Sequence, residues 1–201
     1  MPSRMKSEER RAAIVEEAIH LFAENGFRGT TTRGLAAALG VSGPVLYRHF
    51  KTKRELYSAI IETKSQQKSH QGRALPAMEE GGDDRAFFRY LGHLILENYE
   101  DDPDFMRLLL FSALERHELA DLFFKRQVES YFQLVATYIE RRIDEGRFRP
   151  VDAKIAAYGF NGMVSHCGLT RLLFGKHFAQ KTREEVVDEM VEIFLRGISL
   201  L

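Results

Sequence analysis

The sequence predicts an all-α protein of about nine helices, and two observations support this prediction. Apolar residues recur at three-and-four spacing along most of the chain, and no segment shows the sustained alternation or the Asn-Gly turn of a β-hairpin. The 201 residues are 44% hydrophobic, which is typical of a globular protein with a substantial core. A single cysteine, Cys167, excludes an internal disulfide framework.

The first four predicted helices lie near the N-terminus and are separated by strong stop and start signals. Ile14, Ala18 and Phe22 share one face of the first helix, and Gly26 supplies a left-handed C-terminal stop. The residues that cap, open or end the next three helices are Thr30 or Thr31, Gly40, Ser42, Pro44 and Thr52. This punctuation predicts a three-helix unit with a helix-turn-helix, followed by a fourth helix.

Five further helices are predicted after a segment between residues 71 and 85 that is rich in glycine and aspartate. Their expected ranges are 85–100, 103–116, 119–145, 152–174 and 182–200. We expect two domains: a helix-turn-helix domain of residues 1–55 and a larger helical domain of residues 56–201.

The third helix combines an apolar face with a basic and aromatic one. Leu46 and Phe50 are four residues apart and point into the small core, so Tyr47 and Arg48 must point elsewhere. Residues 1–57 carry ten Lys or Arg against six Glu, although the formal net charge of the chain is zero. These features favour a helix that lies on DNA. We expect the duplex to be positioned by Tyr47, Arg48, Lys51 and Lys53, and base edges to be read by the first turn of this helix and by Arg48.

Residues 14–60 closely resemble the DNA-binding domain of the TetR family, the tetracycline-repressor-like transcriptional regulators. The resemblance rests on the residues at 21–27, 31–36 and 40–50, which match the family jointly in type and spacing. It implies an all-helical regulator whose partner is a double-stranded DNA operator. Together with Arg48, the expected DNA-binding residues are Thr31, Thr32, Arg33, Ser42, Gly43, Pro44, Val45, Tyr47, His49 and Lys53.

The chain departs from the family pattern at the start of the third helix. Many members carry Lys-Gly-Thr after the serine, where this chain has Gly43, Pro44 and Val45. The change removes a cation and a hydroxyl. We therefore expect base readout to be more apolar, for example through contact with a thymine methyl group.

The larger domain is the expected effector-binding region. Its many aromatic residues suit a largely apolar small molecule held by one or two hydrogen bonds, and the resemblance to the TetR family implies a pocket for such an effector. Arg107 and Glu115 are alternatives that could instead pair with a charged effector. The candidate ligand-binding residues, each of which also fits a structural role, are His93, Arg107, Phe111, Tyr131, Asn161 and His166.

The last two predicted helices indicate a homodimer. Apolar residues recur at three-and-four spacing in the last helix, namely Val187, Met190, Val191, Phe194 and Ile198. Gly159, Gly162 and Gly168 in the helix before it permit a second helix to approach closely. We expect Phe194 to lie at the centre of the interface. A pair of core helices within a monomer is the alternative, although helix-turn-helix repressors read two half-sites.

Other functional classes are disfavoured. The seven histidines are scattered, and the chain contains neither His-Glu-x-x-His, Cys-x-x-Cys nor a glycine-rich phosphate loop, so we expect no enzyme, no cofactor and no metal. A nucleoid or architectural protein that uses the same motif without sequence preference is the remaining alternative.

A cytoplasmic location is expected. The stretch of residues 155–170 lacks Asp, Glu, Lys and Arg but is shorter than the roughly 20 apolar residues of a membrane span. The basic first residues lead into further charges rather than into the apolar run of a signal peptide.

Overall fold

The computed structural model describes residues 7–71, 83–116, 118–175 and 181–200. Most of the expected linker between residues 71 and 85 lies outside these ranges. The helices are α1 (Ser7–Gly29), α2 (Thr32–Ala38), α3 (Gly43–His49), α4 (Lys53–Gln71), α5 (Asp84–Glu100), α6 (Pro103–Leu114), α7 (Glu118–Phe123), a π-helical segment (Phe124–Val128), α8 (Glu129–Asp144), α9 (Ala153–Phe174) and α10 (Arg183–Ile198).

The all-α class is confirmed. The helix α7, the π-helical segment and α8 follow one another directly and correspond to one predicted helix, so nine helices are present in the described residues. Within the same residues, β-type pairing is limited to one antiparallel bridge between Phe148 and Ser199. No helix of the described ranges is both long and apolar enough to cross a membrane.

Most of the predicted stop and start signals act where they were expected. Gly26 has a φ of 67° and kinks the last turns of α1, and Gly40 has a φ of 61° just after α2. The Thr31 hydroxyl accepts a hydrogen bond from the backbone N–H of Gly34 at 3.0 Å, which caps α2. Ser42 also occupies an N-cap position, but its hydroxyl makes no capping bond to α3.

The chain folds into two compact units. The first consists of Met1–Lys68 and Asp104–Phe124, and the second consists of Ser69–Pro103 and Lys125–Leu201. The first unit extends beyond the expected domain 1–55, because side chains of α4 and α6 share the core of the N-terminal helices. This core includes Ile14, Phe22, Leu35, Leu46, Phe50, Leu56, Tyr57, Ile60, Phe105 and Leu108. The boundary between functional domains stays a prediction.

In the second unit, α9 packs against α5 and α8, and α10 packs against α5 and α9. The rings of Phe88, Phe160 and Phe194 meet in the centre of the core. A buried ion pair joins α8 to α5, since Arg142 donates to both carboxylate oxygens of Asp84 at 2.6 and 3.0 Å. Burying one phenylalanine side chain such as Phe88 stabilises the fold by about 1.5–3 kcal/mol.

Candidate DNA interface and effector region

Helix α3 presents an exposed side opposite its buried one. Leu46 and Phe50 are each 2% exposed and pack into the core of the first unit, whereas 49% of Tyr47 is exposed. Arg48 is exposed beside it. The Tyr47 hydroxyl donates to Oγ1 of Thr32 at 3.3 Å, which links the outer side of α3 to the first turn of α2. The inward and outward directions predicted for these α3 residues are confirmed.

All eleven predicted DNA-binding residues lie in the first unit, and none of them is buried. Six are exposed, namely Thr31, Arg33, Ser42, Pro44, Tyr47 and Arg48, and five are partly exposed, namely Thr32, Gly43, Val45, His49 and Lys53. A Cβ atom built on Gly43 would meet no other atom within 4 Å. The surface is therefore accessible to a duplex, and the contacts themselves stay a prediction.

Lys53 is directed toward its own unit. Its Nζ donates hydrogen bonds to the carbonyl oxygens of Phe27 at 2.5 Å and Thr30 at 2.8 Å, and it lies 4.2 Å from the centre of the Phe27 ring. Burial lowers the pKa of the Lys53 ammonium, while the charge of Glu115 raises it. Lys53 thus holds the turn between α1 and α2, a structural role that the sequence did not predict.

Glu115, which follows α6, lies against the same turn. Its Oε1 accepts a hydrogen bond from the backbone N–H of Arg28 at 3.4 Å, and its Oε2 is buried with no hydrogen-bond partner among the described residues. A Cβ atom on Gly26 would stand 2.8 Å from Oε1, which is closer than such atoms normally approach. Glu115 therefore supports the segment from which α2 begins, whereas the sequence had suggested it as a partner for a charged effector.

Two of the six candidate ligand-binding residues lie on α6 in the first unit. Arg107 is exposed and pairs with Asp104 at 3.3 Å. The Phe111 ring is partly exposed, and one of its atoms would lie 3.4 Å from a Cβ atom on Gly26. Both side chains are accessible, and their binding role stays a prediction.

The other four candidates lie in the second unit. His166 is exposed on α9, and His93 and Asn161 are partly buried. Tyr131 differs from these three, because its hydroxyl is shielded from solvent and has no hydrogen-bond partner among the described residues. Burial also raises the pKa of its phenol.

An open depression of about 610 Å³ lies on α8, lined by Glu129, Ser130, Gln133, Leu134 and Thr137. None of the six candidates lines it. The depression has no sequence signal of its own, because these residues have the composition of an ordinary solvated helix face. The depression is shallow and is lined by a single helix, whereas most small-molecule sites are enclosed.

The prediction that Phe194 on α10 lies at the centre of the dimer interface is wrong. Phe194 is only 7% exposed within the single chain, and its ring centre lies 4.8 Å from that of Phe88 and 5.1 Å from that of Phe160. A helix face that is buried in its own core has the same three-and-four spacing as an intermolecular face, so the pattern could not distinguish the two. The outward side of α10 instead carries Ile193, which is 51% exposed.

Comparison with known proteins gives the family. Residues 14–60 match bacterial regulatory proteins of the tetR family, and residues 98–197 match the C-terminal domain of AefR-like transcriptional repressors. The chain is also 30% identical over 168 residues to the nucleoid occlusion factor SlmA of Vibrio vulnificus (strain YJ016), covering 79% of this chain and 82% of that protein. The chain belongs to the TetR family. It is a DNA-binding transcriptional regulator, from a family that is not enzymatic.

Two further relatives of this TetR-family regulator cover different parts of it. The tetracycline repressor protein class C of Escherichia coli is 48% identical over 52 residues, which is 26% of this chain and 24% of that protein. The crystal structure of AibR in complex with isovaleryl coenzyme A and operator DNA is similar in fold, with a TM-score of 0.71 and 22% identity. That similarity covers 92% of this chain and 97% of the AibR chain.

Proposed function

We propose that this TetR-family regulator is a cytoplasmic, homodimeric repressor that binds an operator through α3 of each subunit. A small, largely apolar effector releases it from the DNA. The observation that carries the proposal is the outward face of α3, where Tyr47 and Arg48 are exposed while Leu46 and Phe50 anchor the opposite face. A helix anchored in this way presents its outer side chains rigidly, which direct contact with a DNA groove requires.

The remaining predicted residues extend this face. Thr31, Thr32 and Arg33 open α2 and would contact the DNA backbone, and His49 lies at the edge of α3. Pro44 and Val45 stand in the first turn of α3 and would meet base edges with apolar groups. Arg48 would supply the cation that interacts with a phosphate or with a guanine edge.

The proposed homodimer is supported by a stripe of exposed residues on α9. Ile155, Gly159, Gly162, His166 and Leu173 recur at helical spacing and are all exposed. A Cβ atom on either glycine would meet nothing within 4 Å, so the packing of the chain itself does not require a glycine at these positions. A second α9 could cross closely there, and a two-fold pairing would present two α3 helices to half-sites about 34 Å apart.

The proposed release from DNA requires the effector to bind one arrangement of the two subunits more tightly than another. An effector that favours a subunit arrangement in which the two α3 helices no longer match adjacent major grooves lowers the affinity for DNA. By thermodynamic reciprocity, operator DNA weakens effector binding by the same factor. The aromatic content of the second unit supports an apolar effector rather than a phosphate or a sugar.

The test is a titration of the protein against DNA from upstream of its own gene and against random DNA, at a stated salt concentration. A repressor should prefer the specific site by at least about 1,000-fold. Hydrophobic compounds that stabilise the protein in a thermal-shift screen should then weaken operator binding. Hits that stabilise the protein and leave operator affinity unchanged would refute the release mechanism.

A nucleoid-associated protein is the second candidate. The observation in its favour is the 30% identity to a protein named a nucleoid occlusion factor, which extends well beyond the helix-turn-helix. Such a function would require DNA binding but no small-molecule response. Nearly equal affinity for the specific and the random DNA, with no response to any stabilising compound, would favour the nucleoid-associated function over an effector-controlled repressor.

A further inference from the structure

We infer that the Tyr131 hydroxyl is the hydrogen-bond donor of the effector site and that the effector is an uncharged apolar molecule with one acceptor oxygen, such as a ketone. This inference rests on the proposed effector function and adds the chemistry of recognition to it.

The position of Tyr131 on α8 is the first observation. Val135 and Tyr138 follow it at intervals of four and three residues and are both buried, so Tyr131 continues their inward-facing row by one turn. Its ring packs against the core of the second unit and meets Phe132 edge-on at 5.4 Å between centres. The hydroxyl nevertheless has no hydrogen-bond partner among the described residues. A buried phenol normally finds a partner, so an unpartnered one needs an explanation.

The π-helical segment immediately before Tyr131 is an independent observation. It spans Phe124–Val128 and separates α7 from α8. Such segments are rare, and they occur frequently at functional sites because they change which residues of a helix face inward. Tyr131 is three residues beyond the end of this segment.

The described arginines of the second unit argue against an anionic effector. Its buried and half-buried arginines that the structure describes already have carboxylate partners. The pairs are Arg141 with Glu145, Arg142 with Asp84, Arg171 with Glu100 and Arg183 with Glu97 and Glu100. A buried anion without a cation would be strongly disfavoured. A neutral acceptor that receives one bond from Tyr131 has no such requirement.

The inference distinguishes Tyr131 from the other inward tyrosine of α8. The hydroxyl of Tyr138 donates to Oδ1 of Asp84 at 2.6 Å, so its bond is made within the chain. Tyr131→Phe removes an unsatisfied hydroxyl and should raise the melting temperature of the unliganded protein by about 2–4 °C. Tyr138→Phe, the matched control, should lower it because Asp84 loses a donor.

Binding is tested with three compounds of similar shape: 2-acetylnaphthalene, which is a ketone, 2-ethylnaphthalene, which has no acceptor, and 2-naphthoate, which is an anion. By equilibrium dialysis, the wild type should bind the ketone about tenfold more tightly than either of the others. Tyr131→Phe should lose this preference and bind 2-ethylnaphthalene as the wild type does. Tyr138→Phe should retain the preference.

Three results would overturn the inference: a wild type without a ketone preference, a Tyr131→Phe variant that keeps it, or a Tyr131→Phe variant that melts at a lower temperature. Titration of operator DNA with the unliganded wild-type and Tyr131→Phe proteins shows whether only the role of Tyr131 is refuted or whether the proposed repressor function is refuted as well. If both bind the operator and the ketone preference is missing, only the inference fails. If neither binds any operator, the proposed function fails, and the ketone preference still decides the role of Tyr131.

Discussion

At the scale of single residues, two basic side chains of the predicted DNA surface have different surroundings. Arg48 is exposed on α3, whereas Lys53 directs its ammonium to the carbonyl oxygens of Phe27 and Thr30. The first is placed to interact with DNA, and the second stabilises the turn that carries α2. Their substitutions should therefore change different measured quantities.

Arg48→Ala should weaken binding to DNA and reduce the slope of log affinity against log salt by about 0.9, because one fewer counterion is released from the duplex. The change can be measured by gel-shift titration at four salt concentrations. Lys154→Ala, which removes an exposed cation from α9, is the control and should leave the slope unchanged. An unaltered slope for Arg48→Ala would remove Arg48 from the DNA interface.

Lys53→Met should lower the free energy of unfolding by about 1 kcal/mol, because two carbonyl oxygens lose a charged donor. Urea denaturation measures this change. Lys51→Met is the matched control, since the Lys51 side chain is exposed and its removal should be nearly neutral. If Lys53→Met weakens DNA binding without any loss of stability, the role of Lys53 is contact with the duplex rather than support of the turn.

At the scale of elements, the orientation of α2 depends on the last turns of α1. Gly26 kinks this helix, the Thr30 hydroxyl donates to the carbonyl oxygen of Gly26 at 2.8 Å, and Glu115 approaches from the end of α6. The kink needs a positive φ, and a Cβ atom here would also require the Glu115 carboxylate to shift. The positive φ therefore selects glycine, and the contact with Glu115 adds to the cost of any side chain.

A series of alanine substitutions separates the two constraints. Gly40→Ala should cost about 1–2 kcal/mol of unfolding free energy, because its φ is positive but its surroundings are open. Gly26→Ala should cost more, since its Cβ also meets Glu115. Gly43→Ala should be neutral or stabilising, because its surroundings are open and alanine favours a helix. Equal losses for Gly26→Ala and Gly40→Ala in urea denaturation would contradict the steric role of Glu115.

At the scale of the whole molecule, the proposed repressor requires a second copy. The inward face of α10 is already occupied by the core of its own unit, so the dimer must use outward side chains such as Ile193 and the α9 stripe around Gly162. A substitution on the outward face of α10 therefore tests dimer assembly, and a substitution on its inward face tests folding.

Ile193→Glu should keep the fold and weaken the dimer, because a charge at a buried interface loses its solvation without gaining a partner. Light scattering at micromolar concentration should show monomers, and operator affinity should fall. Phe194→Glu should instead unfold the protein, since removing a buried phenylalanine alone costs about 3–5 kcal/mol. Circular dichroism distinguishes the two. A folded Phe194→Glu protein, or a dimeric Ile193→Glu protein, would contradict this assignment of faces.

The sequence by itself determined the all-α class, the helix-turn-helix and the directions of Leu46, Tyr47 and Phe50. It also placed the stop at Gly26, which the structure confirms, and limited the cap of α2 to Thr30 or Thr31, of which the structure selects Thr31. These features depend on spacing and on cap chemistry within a few residues, so they are readable without knowledge of the remaining chain.

Only the tertiary structure decided what covers each apolar or charged side chain. It placed Phe194 in the core of its own unit, turned Lys53 toward Phe27 and brought Glu115 to Arg28, which is 87 residues away in the chain. It also left the Tyr131 hydroxyl without a partner among the described residues. Periodicity reports that a face is apolar, but its partner is set by packing between distant segments, and no local pattern encodes that choice.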